Sequence, residues 1–530
     1  MSVRRREVLA TLGIGSASSL LWAFGCSAPT RAVRRAPQVS DDVRLWLRDA
    51  VERLTAVYPT VHALAVSRHR TTAAHDVLGA GIASLRADGV VLTVRDRDGM
   101  CREHVTSSLT AEGVAAAATA LGARRARKPI DFGAAPARPA EPPSIDDADL
   151  RRRVERLLHA DAALSRRIVY AAALIDVDDA IVWSIAPGRD LEQRLVRIRL
   201  TATRAGWNAT RPVARELERA WSGALDDHSL TDDEIAATSE TILEQMTPGT
   251  FDDGARAVVL DPSVVALLAD TITRTLLTAG ARHPADLLAS PLFTLVDDPT
   301  APGAYGGFAF DDEGQPAAPL TLVDAGRIIA RLADLSTAGT AGRSLDGSTR
   351  GTGHGDGSAD ETGRTTAGAP GVSGAGRTVA GWPEVAAPGR GRRAGHLGRV
   401  APRSSHLVVS TGNVATSELY SDGFLLEAGI EAFLDPATGH LRIACGRARE
   451  LKAGSTTGRI YPDVELVGSL TDLLSAIDAV AREPVSFALR APHIALVDPA
   501  TTDPAAARWA SIAAPALRSH AFLRARRTRA

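Results

Sequence analysis

LVDDPTAPGAYGGFAFDDEGQPAAPLTLVDAGRII, residues 295–329, is the stretch whose reading decides the fold. Short aliphatic and aromatic runs alternate with Pro, Gly and paired acidic residues every few positions. That punctuation is the pattern of short strands joined by tight turns. Asp311-Asp312-Glu313-Gly314 lacks the alternating oxygen ligands of a calcium loop and reads as a hairpin turn. Upstream, ARAVVLDP (255–262) is a short strand, and SVVALLADTITRTLL is a helix starting at Ser263. Downstream, HLVVSTG (406–412), IEAFLDP (430–436), HLRIACG (440–446) and ARELKAG (448–454) are further strands, with one helix over 469–481. Residues 251–530 are therefore expected to be largely antiparallel β with few helices. A low-complexity insert, rich in Gly, Ser and Thr, interrupts them at 336–391 and is expected to hold no packed core.

Residues 41–250 read as a mixed α/β domain, so the class is α+β. A helix starts at Ser40 or Asp41 and runs to about Thr60. Gly89 to Thr106 is a hairpin turning at Arg97-Asp98-Gly99. Thr110–Ala126 is an alanine-rich helix, 127–145 a Pro/Ala linker, and Asp146–Arg167 an amphipathic helix with Leu150, Val154, Leu157, Leu158 and Leu164 on one side. Strand-like runs IVYAAALIDV, AIVWSI and LVRIRLTAT follow, then a helix over Asp232–Met246. Asp176, Asp178 and Asp179 fit a turn between the first two runs.

The chain has 530 residues, 61 Lys+Arg against 62 Asp+Glu, and a net charge of −1. No global basic field exists to attract nucleic acid. The three cysteines exclude a disulfide-dense scaffold. Residues 1–26 carry Arg4-Arg5-Arg6, a mild apolar run from Leu9 to Gly25, and Cys26 before Ser27-Ala28-Pro29. Twin arginine and a cysteine after a small residue resemble a Tat signal with a lipoprotein cleavage site. Export, a lipid attached at Cys26, a tether over 27–40, and a periplasmic or membrane-anchored protein are the expectations. With Cys26 lipidated, Cys101 and Cys445 are left, whether paired or free.

Templates of known chemistry mostly fail. HExxH, HxxEH, CxxC and GxSxG are absent, and neither lysine, Lys128 or Lys452, follows a glycine as in a phosphate loop. His62 and His69 would share a face on a helix, with His75 six residues on, but no carboxylate or cysteine completes a metal set.

An ordered series of motifs does carry a resemblance. VVLDPSVVALLADTITRTLL, the 295–329 stretch, Gly391-Arg392-Arg393 with Pro402-Arg403, AGIEAFLDPATGHLRIACGRARELKAG, and VELVGSLTDLLSAIDAVA run in order from Val258 to Ala481. In that order they resemble the TldD/PmbA family of metallopeptidases and their non-catalytic partner subunits. Residues 41–250 resemble the family's N-terminal domain in pattern only, with an SxxxG-like turn at Ser184 to Gly188. The resemblance implies a zinc-binding HExxxH helix in active members, with a cysteine near the C-terminus as third ligand. That helix maps here to Ala269, Asp270 and Arg274. Alanine has no donor atom, arginine is a permanent cation, and no cysteine lies between Thr471 and Val497. The resemblance therefore implies no zinc cofactor in this chain, although active relatives carry one. It implies a non-catalytic subunit beside a zinc-bearing paralogue, or a homo-oligomer, helping to form a peptide-processing cavity. Arg392, Arg393 and Arg403 are the residues expected to contact peptide, since guanidinium groups clamp carbonyls and carboxylates. Two alternatives remain: a metallopeptidase with relocated ligands, Asp270, His396 and His406, or an exported peptide-binding scaffold.

Overall fold

The computed structural model describes residues 42–76, 79–125, 129–134, 145–160, 168–208, 211–247, 250–278, 289–341, 386–387, 389–393, 398–488 and 510–526. The expected signal, Cys26, the tether, nearly all of the insert and His396 lie outside them. Among the described residues no helix is long and apolar enough to cross a membrane.

The N-terminal half builds one antiparallel sheet in the order β3-β2-β1-β4-β5-β6. Its strands are β1 (Thr60–Asp76), β2 (Gly79–Arg95), β3 (Cys101–Thr106), β4 (Ile168–Ala186), β5 (Arg189–Asn208) and β6 (Arg211–Ser222). Four helices accompany it: α1 (Asp42–Thr55), α2 (Ala111–Ala120), α3 (Asp147–His159) and α4 (Asp232–Leu243). Each expected helix is present; α1, α2 and α4 end earlier than expected, and residues 161–167 of the helix expected over Asp146–Arg167 lie outside the described residues. Thr110 caps α2 by accepting from Gly113 N, and Thr231 with Glu234 forms a capping box on α4. The α1 and α2 side buries Leu47, Val51 and Leu54 against Val61, Ala63, Val90 and Leu92; α3 buries Leu150, Val154 and Leu157 against Ile175, Ile198 and Leu200.

Two expectations are corrected here. Asp176, Asp178 and Asp179 do not make a turn: IVYAAALIDV and AIVWSI are one continuous strand, β4, with the aspartates at its centre. Cross-strand cations make this tolerable. Arg70 grips Asp176 with Nε at 2.7 Å and Nη2 at 2.6 Å, and Arg194 grips Asp179 at 2.9 and 2.7 Å. Asp178 lies opposite Arg70 on β1 and Arg197 on β5. His62, His69 and His75 stand on β1, not on a helix. The period of two puts His62 and His69 on opposite faces.

The C-terminal half holds β7 (Gly254–Leu260), β8 (Leu295–Asp297), β9 (Leu320–Asp324), β10 (Arg327–Ile328), β11 (Arg331–Leu332), β12 (Ala386–Ala387), β13 (Gly391–Arg393), β14 (Val400–Pro402), β15 (His406–Val409), β16 (Gly423–Leu434), β17 (His440–Lys452), β18 (Ser455–Ser469), β19 (Ala479–Ala488) and β20 (Ser511–Ala525). Because β7 pairs with both β16 and β20, the strands β7-β16-β17-β18-β20 close into a ring. Most pairs are antiparallel, as expected; β7 with β16, β15 with β20 and β11 with β12 are parallel. Helix α5 (Pro262–Leu276) is capped by Asp261 and buries Val264, Leu268, Ile272 and Leu276 in the main core. The short α6 spans Leu335–Ala341. The helix expected over 469–481 is only α7 (Leu470–Ser475); residues from Ala479 leave it for β19, which pairs with β20.

Candidate functional site

The ends of the 295–329 stretch belong to the C-terminal sheet as β8, β9 and β10, while its middle, Tyr305 to Gly314, lies against the helix-free face of the N-terminal sheet, and β5 holds it there through every fourth residue. Arg189 Nη1 donates to Gly314 O at 2.8 Å. Gln193 Nε2 donates to Phe310 O at 2.9 Å while its Oε1 accepts from Ala309 N at 2.8 Å. Arg197 Nε donates to Tyr305 O at 2.9 Å. Residues i, i+4 and i+8 of a strand share one face, so one row of long polar side chains grips the backbone between Tyr305 and Gly314. Two glycines in the segment are sterically required. A Cβ on Gly306 would sit 1.9 Å from Ser405 O; Gly314, at φ +73°, would put one 2.3 Å from Ser184 Oγ.

The acidic turn forms as expected and does more than reverse the chain. Asp311 Oδ1 accepts from Glu313 N at 3.0 Å and Gln315 N at 2.8 Å, and its Oδ2 from Gly391 N at 2.9 Å. Asp312 Oδ2 accepts from Arg393 N at 2.7 Å. The turn thus docks onto β13, and β13 pairs with β14 from Gly391↔Pro402 to Arg393↔Val400, so the GRR and PR segments form one small hairpin. Burial pushes the Asp311 carboxyl up to about 6 against those three N–H donors. Burial, joined by the Asp311 and Asp334 charges, pushes Glu313 up to about 7; Leu335 N–H and Arg393 oppose it.

The three arginines expected to contact peptide occupy different settings. Arg392 is buried and its Cζ lies 5.2 Å from the Phe308 ring centroid. Arg393 reaches Glu103 on β3, Nη2 to Oε1 at 2.6 Å, and Gly398 O at 2.6 Å. Arg403 Nε donates to Arg392 O at 3.2 Å. Behind the hairpin, Asp297 and Arg390 form a buried ion pair. Asp297 Oδ1 also accepts from Ser405 N at 2.7 Å and Ser405 Oγ at 2.8 Å.

A cleft opens between the two halves, about 510 Å³ including the solvent at its mouth. Arg68 on β1 and Gln193 and Arg197 on β5 face Asp311, Asp312, Arg392 and Arg393 across it. Leu64, Val66, Val182, Leu195, Phe308 and Phe310 supply its apolar lining. Arg68, Gln193 and Arg197 escaped the sequence reading. The available signal was polar residues at 193 and 197 within an alternating strand.

The zinc-helix positions are elsewhere: none of the three lines the cleft. Ala269 is fully buried on α5, and Asp270 Oδ2 accepts from Arg274 Nε at 2.8 Å. That i,i+4 ion pair joins the positions where the resemblance puts the glutamate and the second histidine, and alanine stands at the first histidine. A site with no donor at one position and a guanidinium at another does not fit a zinc ion. Of the relocated set, His396 lies outside the described residues. His406 Nδ1 lies 2.8 Å from Ser511 Oγ and burial lowers its basicity; among the described residues no group of three or more His, Cys, Asp or Glu is placed to hold a metal. His62 Nε2 lies 2.8 Å from Ser184 Oγ; burial, then Arg189 and Arg393, depress its pKa to about 3. Cys101 and Cys445 are both free, the first exposed and the second buried.

Residues 253–503 match the model of the PmbA/TldA metallopeptidase C-terminal domain. No curated protein matches the sequence. Among solved structures the chain is similar to a Thermotoga maritima protein described as a candidate modulator of a DNA gyrase, with a TM-score of 0.62 and 14% identity over 88% of this chain and 96% of that one. A Bacteroides thetaiotaomicron protein of like description gives 0.63 and 14% over 92% and 100%. TldE from Thermococcus kodakarensis gives 0.63 and 12% over 90% and 100%. At such identities the likeness shows the fold. The matched domain, with the ordered motifs from Val258 to Ala481, identifies residues 253–503 as a PmbA/TldD-family C-terminal domain, and the solved structures show the same fold over most of the chain.

Proposed function

We propose that this protein is a zinc-free member of its family that works as a non-catalytic subunit, exported by a Tat-type signal, beside a zinc-bearing paralogue, and helps to enclose a cavity in which peptides are cut. The observation that carries this reading is the Asp270–Arg274 ion pair on α5 with Ala269 sealed beneath it. Arginine there places a fixed positive charge where a metal would have to sit. Rebuilding a ligand set would need changes at several positions. The scaffold around that helix is nonetheless complete: Asp261 caps it, and its apolar face is packed on the closed ring. A fold kept intact around a dismantled centre suits a partner better than a hydrolase.

Co-expression with a paralogue that carries HExxxH tests this. The expected result is a hetero-complex on size exclusion that cleaves unstructured peptides, is stopped by a chelator, and needs the paralogue. Chelator-sensitive cleavage by this chain alone would favour the relocated-ligand reading instead. Failure to form any complex, with peptides retained by the chain alone, would favour the exported peptide-binding scaffold.

A further inference from the structure

The acidic turn holds two elements that the sequence separates by more than fifty residues. On one side, Glu313 Oε2 accepts from Leu335 N, at the start of α6, at 2.7 Å. On the other, Asp311 Oδ2 accepts from Gly391 N at 2.9 Å, Asp312 N donates to Gly391 O at 3.0 Å, and Asp312 Oδ2 accepts from Arg393 N at 2.7 Å. The Glu313 carboxyl also lies against the bare backbone of Gly391, where a Cβ would come within 2.2 Å of Oε2. One short turn therefore fastens both α6 and the β13–β14 hairpin. Asp311, Asp312, Arg392 and Arg393 from this junction form one wall of the cleft.

The charges about Glu313 oppose its ionisation. Asp311 and Asp312 share its turn. Asp334 precedes Leu335, and its Oδ1 accepts from Thr337 N at 2.7 Å and Ser336 Oγ at 2.7 Å. The nearby cations are committed elsewhere. Arg393 on β13 holds Glu103 on β3 at 2.6 Å. Arg189 on β5 donates to the Glu313 and Gly314 carbonyls, and Arg403 donates to the Arg392 carbonyl. The Cys101 thiol of β3, raised by burial and by Glu103, faces the same carboxyl. His62, kept neutral chiefly by burial, lies on Ser184 Oγ beside Gly314. Burial first, then the Asp311 and Asp334 charges, push Glu313 up to about 7, and burial pushes Asp311 up to about 6. Both lie above the values of unfolded carboxyls, so bound protons favour this junction and their loss weakens it.

We propose that this turn is a proton-operated latch: with Glu313 protonated it holds the start of α6 and the β13–β14 hairpin in place, and with Glu313 ionised against Asp311 and Asp334 it slackens its hold and loosens one wall of the cleft. A third carboxylate charge in a half-buried turn is repelled by the two beside it. Moving outward to water relieves the repulsion but gives up the Leu335 hydrogen bond and the seat against Gly391. The hairpin is the element that yields, because β13 and β14 pair only with each other among the named strands, whereas β5 grips the turn. The latch belongs to this chain alone and does not rest on the partner reading.

Hydrogen exchange of the purified full chain, read by mass spectrometry at about pH 5.5 and about pH 8 with labelling times scaled to the intrinsic rate, tests it. Peptides carrying β13–β14 and the start of α6 should lose protection by roughly fivefold or more at the higher pH, while α4, away from the turn, keeps its own. Glu313→Gln, uncharged at every pH, should hold the acid-side protection at both. Asp334→Asn, which removes one repelling charge and keeps a capping side chain, should move the loss to lower pH. Equal protection of the hairpin at the two pH values, a loss shared equally by α4, or a Glu313→Gln chain that still loses protection would overturn the proposal. The comparison of hairpin with α4 in the unaltered chain decides even if Glu313→Gln does not fold.

Discussion

Replacing Asp297 by alanine probes the junction beneath the GRR hairpin. Asp297 is fully buried and Arg390 is 2% exposed, and they are ion-paired. Arg390 also donates to Asp297 O at 3.0 Å and Ala318 O at 2.6 Å, so the guanidinium cannot leave without breaking the contact between β8 and the hairpin. Asp297→Ala strands that cation in a dry site and releases Ser405 N and Oγ from their acceptor. Removing one partner of a buried pair costs about 3–5 kcal/mol. For a cooperative unit of roughly 150–250 residues that is a fall of about 6–20 °C in the midpoint. Circular dichroism during heating, together with urea unfolding, reads it. The double change Asp297→Leu with Arg390→Leu should recover at least about half of the loss, because no lone charge remains. A single-variant cost below about 1 kcal/mol, the range of exposed pairs, would refute the reasoning.

Other outcomes follow from the same geometry. Glu313 is held above its ordinary 4.5, at about 7, so the folded state binds its proton more tightly than the unfolded chain does. Stability should therefore fall as pH climbs from about 4.5 to about 7. Discounted for its partial exposure, the change is roughly 1 kcal/mol, and Glu313→Gln should flatten that slope in urea titrations. Gly306→Ala forces a methyl group onto Ser405 O and should cost at least about 1–3 kcal/mol or prevent folding, read by soluble yield and unfolding midpoint. In a Cys26→Ser chain, the exposed Cys101 should react with a thiol reagent in the folded state. Burial pushes the Cys445 thiol up and closes it off, so it should react only after unfolding.

The elements that the sequence made legible are those whose signals are local. The helix read from Ser263 is α5, the one read over Asp232–Met246 is α4, and Asp311 to Gly314 forms the turn that its residues announce. What escaped depends on distant partners. Asp176 and Asp178 look like turn residues until Arg70, Arg68 and Arg197 are brought beside them by β1 and β5. The 469–481 run has helical periodicity, yet its second half is drawn into β19 by pairing with β20, more than thirty residues downstream. The candidate site divides in the same way. Arg392, Arg393 and Arg403 were visible as motif residues. The cleft wall supplied by β1 and β5 was not, because a clamp on backbone carbonyls leaves no pattern in the segment being clamped.

The central claim is that α5 has lost the donors for a catalytic cation. Elemental analysis of the full chain, purified without chelator and dialysed against zinc, tests it most directly. The account predicts no zinc above the level of a metal-free control protein. One zinc per chain, lost on replacing Asp270 with alanine, would contradict it.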